Sequence, residues 1–205
     1  MRRDSRLLRR SFFNRDPRTV ARELLGKLVV RSEGRKKLAG RIVEIEAYLG
    51  AGDLAAHSAA GPTARNAVIF GPPGHAYIYF IYGVHYCLNI SCLPEGDAGG
   101  VLIRALEPVS GILEMAKARN LAELDLTAVR DLRKLASGPG RLCEALGITR
   151  ARDNGKDMIS PASDLQAMDD GFRAGEIAVT PRIGITKSAD LPLRFVIAEN
   201  RFVSR

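Results

Sequence analysis

The stretch Arg41 to Ser58, RIVEIEAYLGAGDLAAHS, holds two closely spaced glutamates, a phenol and an imidazole within a short length of chain. Val43, Ile45, Ala47 and Leu49 alternate with Ile42, Glu44, Glu46 and Tyr48, which is the period of a strand. Successive strand side chains point to opposite faces, so the apolar set takes the core. Glu44, Glu46 and Tyr48 then share the other face, and His57 arrives from the loop that follows. A carboxylate beside an aromatic wall can take a proton from water or stabilise a developing cation. The same pattern also describes an ordinary sheet face open to water. On this segment alone both readings stand. The two glutamates also admit a sugar hydrolase that uses one carboxyl as acid and the other as base.

A second chemical stretch is HAYIYFIYGVHYCLNISCL, which contains four of the five tyrosines. Its two halves read as strands broken near Tyr82-Gly83, which puts Tyr82 at or beside a hairpin tip, where a ring has little core to join. Gly99 to Leu106 reads as a further strand that brings Arg104 into the sheet, with Glu107-Pro108 ending it. Arg104 reads either as a pocket residue or as the ion-pair partner of a buried carboxylate.

The elements that position these residues follow from the remaining pattern. Asn14 or Asp16 caps a helix, with Pro17 in its first turn and Thr19 to Leu25 as its body. Lys27 to Arg31 is a short strand, and the polar stretch Ser32 to Lys37 turns it back into the Arg41–Leu49 strand. Gly50 to Gly74, rich in Gly, Pro and Ala, is a long loop with one short helical turn, and loops of that length in compact domains are usually functional. Ile112 to Leu121, Ala128 to Leu135 and Pro139 to Leu146 read as helices, the last opened by SGPG and stopped by Gly147. Arg150 to Gly175 reads as mostly polar and irregular. Glu176 to Ile185 and Leu193 to Ala198 are the closing strands. The fold class is α+β: a single domain over 1–205, with a mainly antiparallel curved β-sheet, flanking helices and a protruding β-hairpin.

Composition narrows the partners. The 205 residues carry a formal net charge of +8 and no apolar run long enough to span a bilayer. A positive excess favours an anionic partner, nucleic acid before a membrane surface. Residues 1–15 read as a basic N-terminal arm; an Arg-rich transit peptide is the other reading, and a secretory signal is excluded by the lack of an apolar core. Cys87, Cys92 and Cys143 match neither a disulfide framework nor a zinc site, and the three histidines form no ligand pair. A reducing compartment, no metal and no cofactor are expected, with the chain cytoplasmic if bacterial and nuclear if eukaryotic.

The motifs RIVEIEAYLGAGDLAAHS, YIYFIYGVHYCLNIS, VLIRALEP and SGPGRLCEALGI, with RELLGKLVV near the start and PLRFVI near the end, resemble the alkyladenine (3-methyladenine) DNA glycosylase family. The likeness covers most of the chain and thins between about Arg150 and Gly175. It implies a monomeric base-excision repair enzyme that flips alkylated or deaminated purines out of double-stranded DNA and hydrolyses the N-glycosidic bond. By the same resemblance, Glu46 is the carboxylate that activates water, and Arg104 is a basic residue at the catalytic pocket. Tyr48, His57 and Tyr79 wall the flipped base, Asn89 hinders normal guanine, and Tyr82 fills the gap left in the duplex. No departure from the family pattern appears at these positions. The competing class is a non-catalytic nucleic-acid-binding module that keeps the stacking surface.

Overall fold

The computed structural model describes residues 5–81, 83–121 and 123–204. Tyr82, expected at a hairpin tip, lies outside them. The chain opens with strand β1 (Arg6–Leu7) and a short helix α1 (Arg10–Phe13), so much of the segment read as a basic arm belongs to the folded body. Helix α2 (Pro17–Leu24) starts where the sequence places it. Asp16 accepts a hydrogen bond from the Arg18 N–H, and Pro17 takes the first position, where no N–H is needed. Its buried face, Val20, Ala21 and Leu24, packs on the sheet.

Strands β2 (Leu28–Glu33) and β3 (Lys36–Tyr48) form a hairpin closed at Glu33 and Lys36. Gly34 supplies the positive φ of 59° that so tight a turn requires. After the long loop, which carries a 3-10 turn at Ala67–Phe70, come β4 (Ala76–Ile81), β5 (His85–Cys92) and β6 (Gly99–Ser110). Helices α3 (Ile112–Ala118), α4 (Val129–Ala136), α5 (Pro139–Ala145) and α6 (Arg150–Asp153) follow, then β7 (Leu165–Asp169), β8 (Ile177–Thr180) and β9 (Arg194–Ile197). The strands make one antiparallel, unclosed sheet in the order β1-β7-β2-β3-β6-β5-β4, with β9 added to β3 and β8 to β9. This is the α+β class expected.

Strand β3 is the hub. One edge pairs with β6 from Ala39 to Tyr48, while the other takes β2 up to Arg41 and β9 from Glu44 to Glu46. The β3–β6 register is irregular at one informative point. Ile42 faces Leu106, Glu44 faces Ala105 and Ile45 faces Ile103, so the ladder skips Val43 on one strand and Arg104 on the other. Bulges of this kind re-aim side chains next to functional sites, and here the skipped residue is the arginine.

Two expectations are corrected. The strand read over Glu176 to Ile185 is β8, which stops at Thr180 before Pro181. Arg150 to Gly175 is mostly irregular, as read, with two short elements. It contains α6 and β7, and β7 sits between β1 and β2 with Leu165, Ala167 and Asp169 buried. The strand is only five residues long and ends on a carboxylate, Asp169, that pairs with Lys27 at 2.9 Å, so it offers little alternation to read. Strand β6 also does not end at Glu107-Pro108 but runs to Ser110. Pro108 is tolerated because β5 covers β6 only from Gly99 to Leu102, which leaves Pro108 with β3 as its strand neighbour, at a second bulge beside Gly40.

Candidate active site

The face that carries Glu44 and Glu46 is not open to water. Both glutamates are 0% exposed, covered by Arg104, Arg194 and the C-terminal segment. Glu44 Oε1 accepts from Arg104 Nε and Arg194 Nε, each at 2.8 Å, and its Oε2 accepts from the Ser204 N–H at 2.6 Å. Burial works to raise this carboxyl, but the bonds from Arg194 and Ser204 and the charge of Arg104 outweigh it and hold it below its ordinary value. Glu44 therefore cannot serve as the proton-donating acid of a sugar hydrolase, which needs a raised pKa.

Glu46 is held differently. Its Oε1 accepts from the Ile183 N–H at 2.9 Å and faces Arg104 Nη1 at 3.1 Å, while its Oε2 accepts from the Tyr48 hydroxyl at 3.0 Å. Those partners use three of the roughly four acceptor directions of a carboxylate. Arg104, Tyr48 and Ile183 also line a cavity of about 390 Å³. Glu46 thus stands directly behind the cavity wall, and its three partners form that part of the wall.

One further wall of the cavity is aromatic, beside aliphatic residues such as Ile69 and Leu102. Tyr77 and Tyr79 of β4 share a strand face, with ring centroids 5.7 Å apart. The His57 ring meets Tyr79 edge-on at 4.4 Å, and His57 Nδ1 lies 3.0 Å from the Tyr77 hydroxyl. Asn89 of β5 reaches the cavity and donates to the Tyr77 carbonyl across the hairpin at 3.3 Å. Burial pushes the phenols of Tyr48 and Tyr79 well above their ordinary range, so both stay neutral. Burial, helped by the charge of Arg65, lowers the His57 pKa from its ordinary 6.5, so at neutral pH this wall carries no charge. Cys87 also borders the cavity, but burial pushes its thiol up to about 11, which keeps it from acting as a nucleophile.

The long loop is fixed by two buried polar residues. Asn66 donates to the carbonyls of His57 at 2.9 Å and Gly61 at 3.1 Å, and accepts from the Thr63 N–H. Asp53 accepts from the N–H groups of Leu49 and Ala55. Gly50 lets the loop start close to its neighbour: a Cβ there would meet the Ala98 carbonyl oxygen at 1.7 Å, and its φ is 83°.

The structure therefore gathers Tyr48, His57, Tyr79, Asn89 and Arg104 around one cavity, with Glu46 behind it. Tyr82 lies outside the described residues. The profile of the family described as methylpurine-DNA glycosylase matches residues 11–201. A Koribacter versatilis protein named 3-methyladenine DNA glycosylase is 68% identical over 197 residues, covering 96% of this chain and 92% of its own. The chain belongs to the methylpurine-DNA glycosylase family. Other relatives carrying the same name are 47% identical in Burkholderia cenocepacia, over 95% of this chain and 89% of theirs, and 48% in Methanoculleus marisnigri, over 95% and 97%. No described helix of this methylpurine-DNA glycosylase family member is long and apolar enough to cross a membrane.

Sequence reasoning missed three contributors. Tyr77 was legible, since it shares its parity with Tyr79 in the run YIYF. Asp53 gave no periodic signal because it sits in the long loop, and Arg182, read as part of a closing strand, lies beyond the end of β8. Their side chains are fully buried, and the Arg182 fork donates to both Asp53 oxygens, at 2.6 and 2.8 Å. The same guanidinium donates to the carbonyls of Ala47 and Ser188 and lies over the Tyr48 ring, 4.6 Å from its centroid. The next residue, Ile183, supplies the N–H that holds Glu46. One ion pair thus ties the His57 loop, the Tyr48 ring and the Ile183 N–H together. Arg182→Met leaves a buried carboxylate without its cation and should cost ~3–5 kcal/mol in urea unfolding. Adding Asp53→Leu in the same chain should recover part of that loss. An unchanged unfolding midpoint for Arg182→Met would contradict this account of the pair.

Proposed function

We propose that this chain excises alkylated or deaminated purines, of the 3-methyladenine, 7-methylguanine, hypoxanthine and ethenoadenine class, from double-stranded DNA. The observation that carries the reading is a cavity with a neutral aromatic wall, backed by the Glu46–Arg104 pair. Water attacks C1′ of the deoxyribose, the C1′–N bond breaks, and the base leaves with the bonding electrons. Glu46 takes the water proton in its remaining acceptor direction, and its charge stabilises the sugar as positive charge develops there. Arg104 holds Glu46 in place and offsets the two carboxylates behind the wall. Among the described residues the cavity lining contains no lysine, which favours plain hydrolysis that leaves an abasic site.

The target bond is inaccessible inside a duplex, so the nucleotide must rotate out, at a cost of a few kcal/mol for unstacking. Tyr82, between Ile81 and Gly83, is the proposed wedge that offsets this cost. Its neighbours fit the role, since Phe80 and Val84 are exposed on the same hairpin, at 44% and 65%. Tyr48, His57 and Tyr79 would stack the extruded base, and N-methylated purines gain a further ~0.5–2 kcal/mol because a cation is attracted to aromatic faces. Asn89, pinned to the Tyr77 carbonyl, cannot swing aside easily and would crowd the amino group of guanine.

The deciding experiment is base release from a panel of lesion-bearing duplexes. Glu46→Gln should abolish release while keeping lesion-duplex binding, and release at the wild-type rate would remove Glu46 from its role. On the same panel Asn89→Gly should gain activity on guanine derivatives. Tyr82→Ser should weaken lesion-duplex affinity without changing the unfolding midpoint, and undiminished affinity would rule out the wedge. The lowered pKa of His57 gives a pH test. The ring is neutral above 6.5 and gains a proton only as pH falls below that value towards its depressed folded one. Affinity for a cationic 7-methylpurine lesion should therefore fall with pH below 6.5, because two cations then share the cavity. His57→Gln should remove that pH dependence, and an equal fall in both proteins would refute it.

A further inference from the structure

A second, larger depression lies across β3 from the base cavity. It is an open groove of about 820 Å³, and no residue lines both spaces. The cavity belongs to the β6-β5-β4 side of the sheet, whereas the groove is bounded by β1, α1, α2 and the chain beyond β7. Arg6, Arg9, Arg22 and Arg173 stand exposed on its rim. The other cations there are already neutralised: Arg15 pairs with Glu23 at 2.8 Å and Lys27 with Asp169 at 2.9 Å. Among the described residues none of the four rim arginines forms an ion pair. Arg22 rests over the Phe195 ring, 5.3 Å from its centroid, which supports the guanidinium while its N–H groups remain unspent. The floor between them is apolar, formed in part by Leu8, Phe12 and Leu25.

We infer that this groove is a second DNA-binding surface, which holds a stretch of phosphodiester backbone away from the base being excised. The inference rests on the DNA-glycosylase reading for the identity of the polyanion. A DNA strand alternates charged phosphates with apolar sugar faces, which matches an arginine rim over an apolar floor. The planar guanidinium fork suits phosphate oxygens. Six cations against Glu23 and Asp169 leave the groove with a net positive charge, and none of the four rim arginines is tied into an ion pair among the described residues. The groove reads no bases, so its contribution is independent of sequence and of damage. It keeps the protein on undamaged DNA between lesions.

The test compares the wild-type chain with one carrying R6Q, R9Q, R22Q and R173Q. Affinity for an undamaged duplex is measured over a salt series, and single-turnover base release is followed on saturating lesion duplex. The variant should bind undamaged duplex about ten-fold or more weakly at low salt, and its salt slope should fall by about 3 to 4, at ~0.9 per phosphate contact. The release rate constant should not change. Unchanged affinity and slope overturn the inference, as does weaker binding of a polyglutamate peptide with DNA binding intact, which would assign the groove to an acidic protein. If the four-fold variant melts early, R9Q/R173Q serves in its place, with half the slope change expected and no change again overturning the inference. A wild-type chain that releases no purine from any lesion duplex would sink the catalytic reading, while the salt series would still decide the groove.

Discussion

Two carboxylates with no exposed surface, facing one another across a single arginine, set the terms for the rest of this structure. Taking one carboxylate out of water costs several kcal/mol even after relaxation, so Glu44 and Glu46 are tolerable only with a full set of donors. Arg104 serves both, and it reaches both because the β3–β6 ladder skips it. Arg194 and the Ser204 N–H complete Glu44, and Tyr48 and the Ile183 N–H complete Glu46. A regular ladder would place residue 104 opposite a β3 residue like any other pair. The bulge is thus a requirement of the charge arrangement rather than an accident of packing.

The two glutamates share a face and an arginine yet differ in what they can do. Glu44 is held below its ordinary pKa by Arg194, Ser204 and Arg104, which makes it a fixed negative charge that anchors Arg104. Glu46 has the same number of partners, but all three of its partners line the cavity. The difference comes from their neighbours alone. A second ion pair, Asp53–Arg182, does for the loop what Arg104 does for the strands: it binds a long irregular segment to the aromatic ring beside Glu46 and so keeps a 390 Å³ space from collapsing or drifting.

Much of this was legible from residue order. Alternation located β3 and the tyrosine hairpin, and an Asp-Pro pair located α2. The motif resemblance brought six of the gathered residues into view. Alternation also misled, because a strand face with two glutamates looks wet until the arginines that cover it are known. Those arginines come from β6 and β9, and their convergence depends on a bulge and on a strand added more than a hundred residues later. Strand β7 was missed because five residues ending on a buried aspartate carry too short a pattern. Asp53 and Arg182 were missed because a buried ion pair between two irregular segments leaves no periodic trace.

The donors that hold the two glutamates are spread over nearly the whole chain. Glu44 lies 160 positions from the Ser204 N–H that it accepts from, and Glu46 lies 137 positions from that of Ile183. A polypeptide that stops before residue 183 would contain both glutamates, Tyr48 and Arg104, yet it would leave two buried negative charges to one positive charge. Such a fragment has every residue of the proposed chemistry without the means to hold them. The proposed site is therefore a long-range construction, in which the last quarter of the chain supplies the donors that make two carboxylates near its start tolerable.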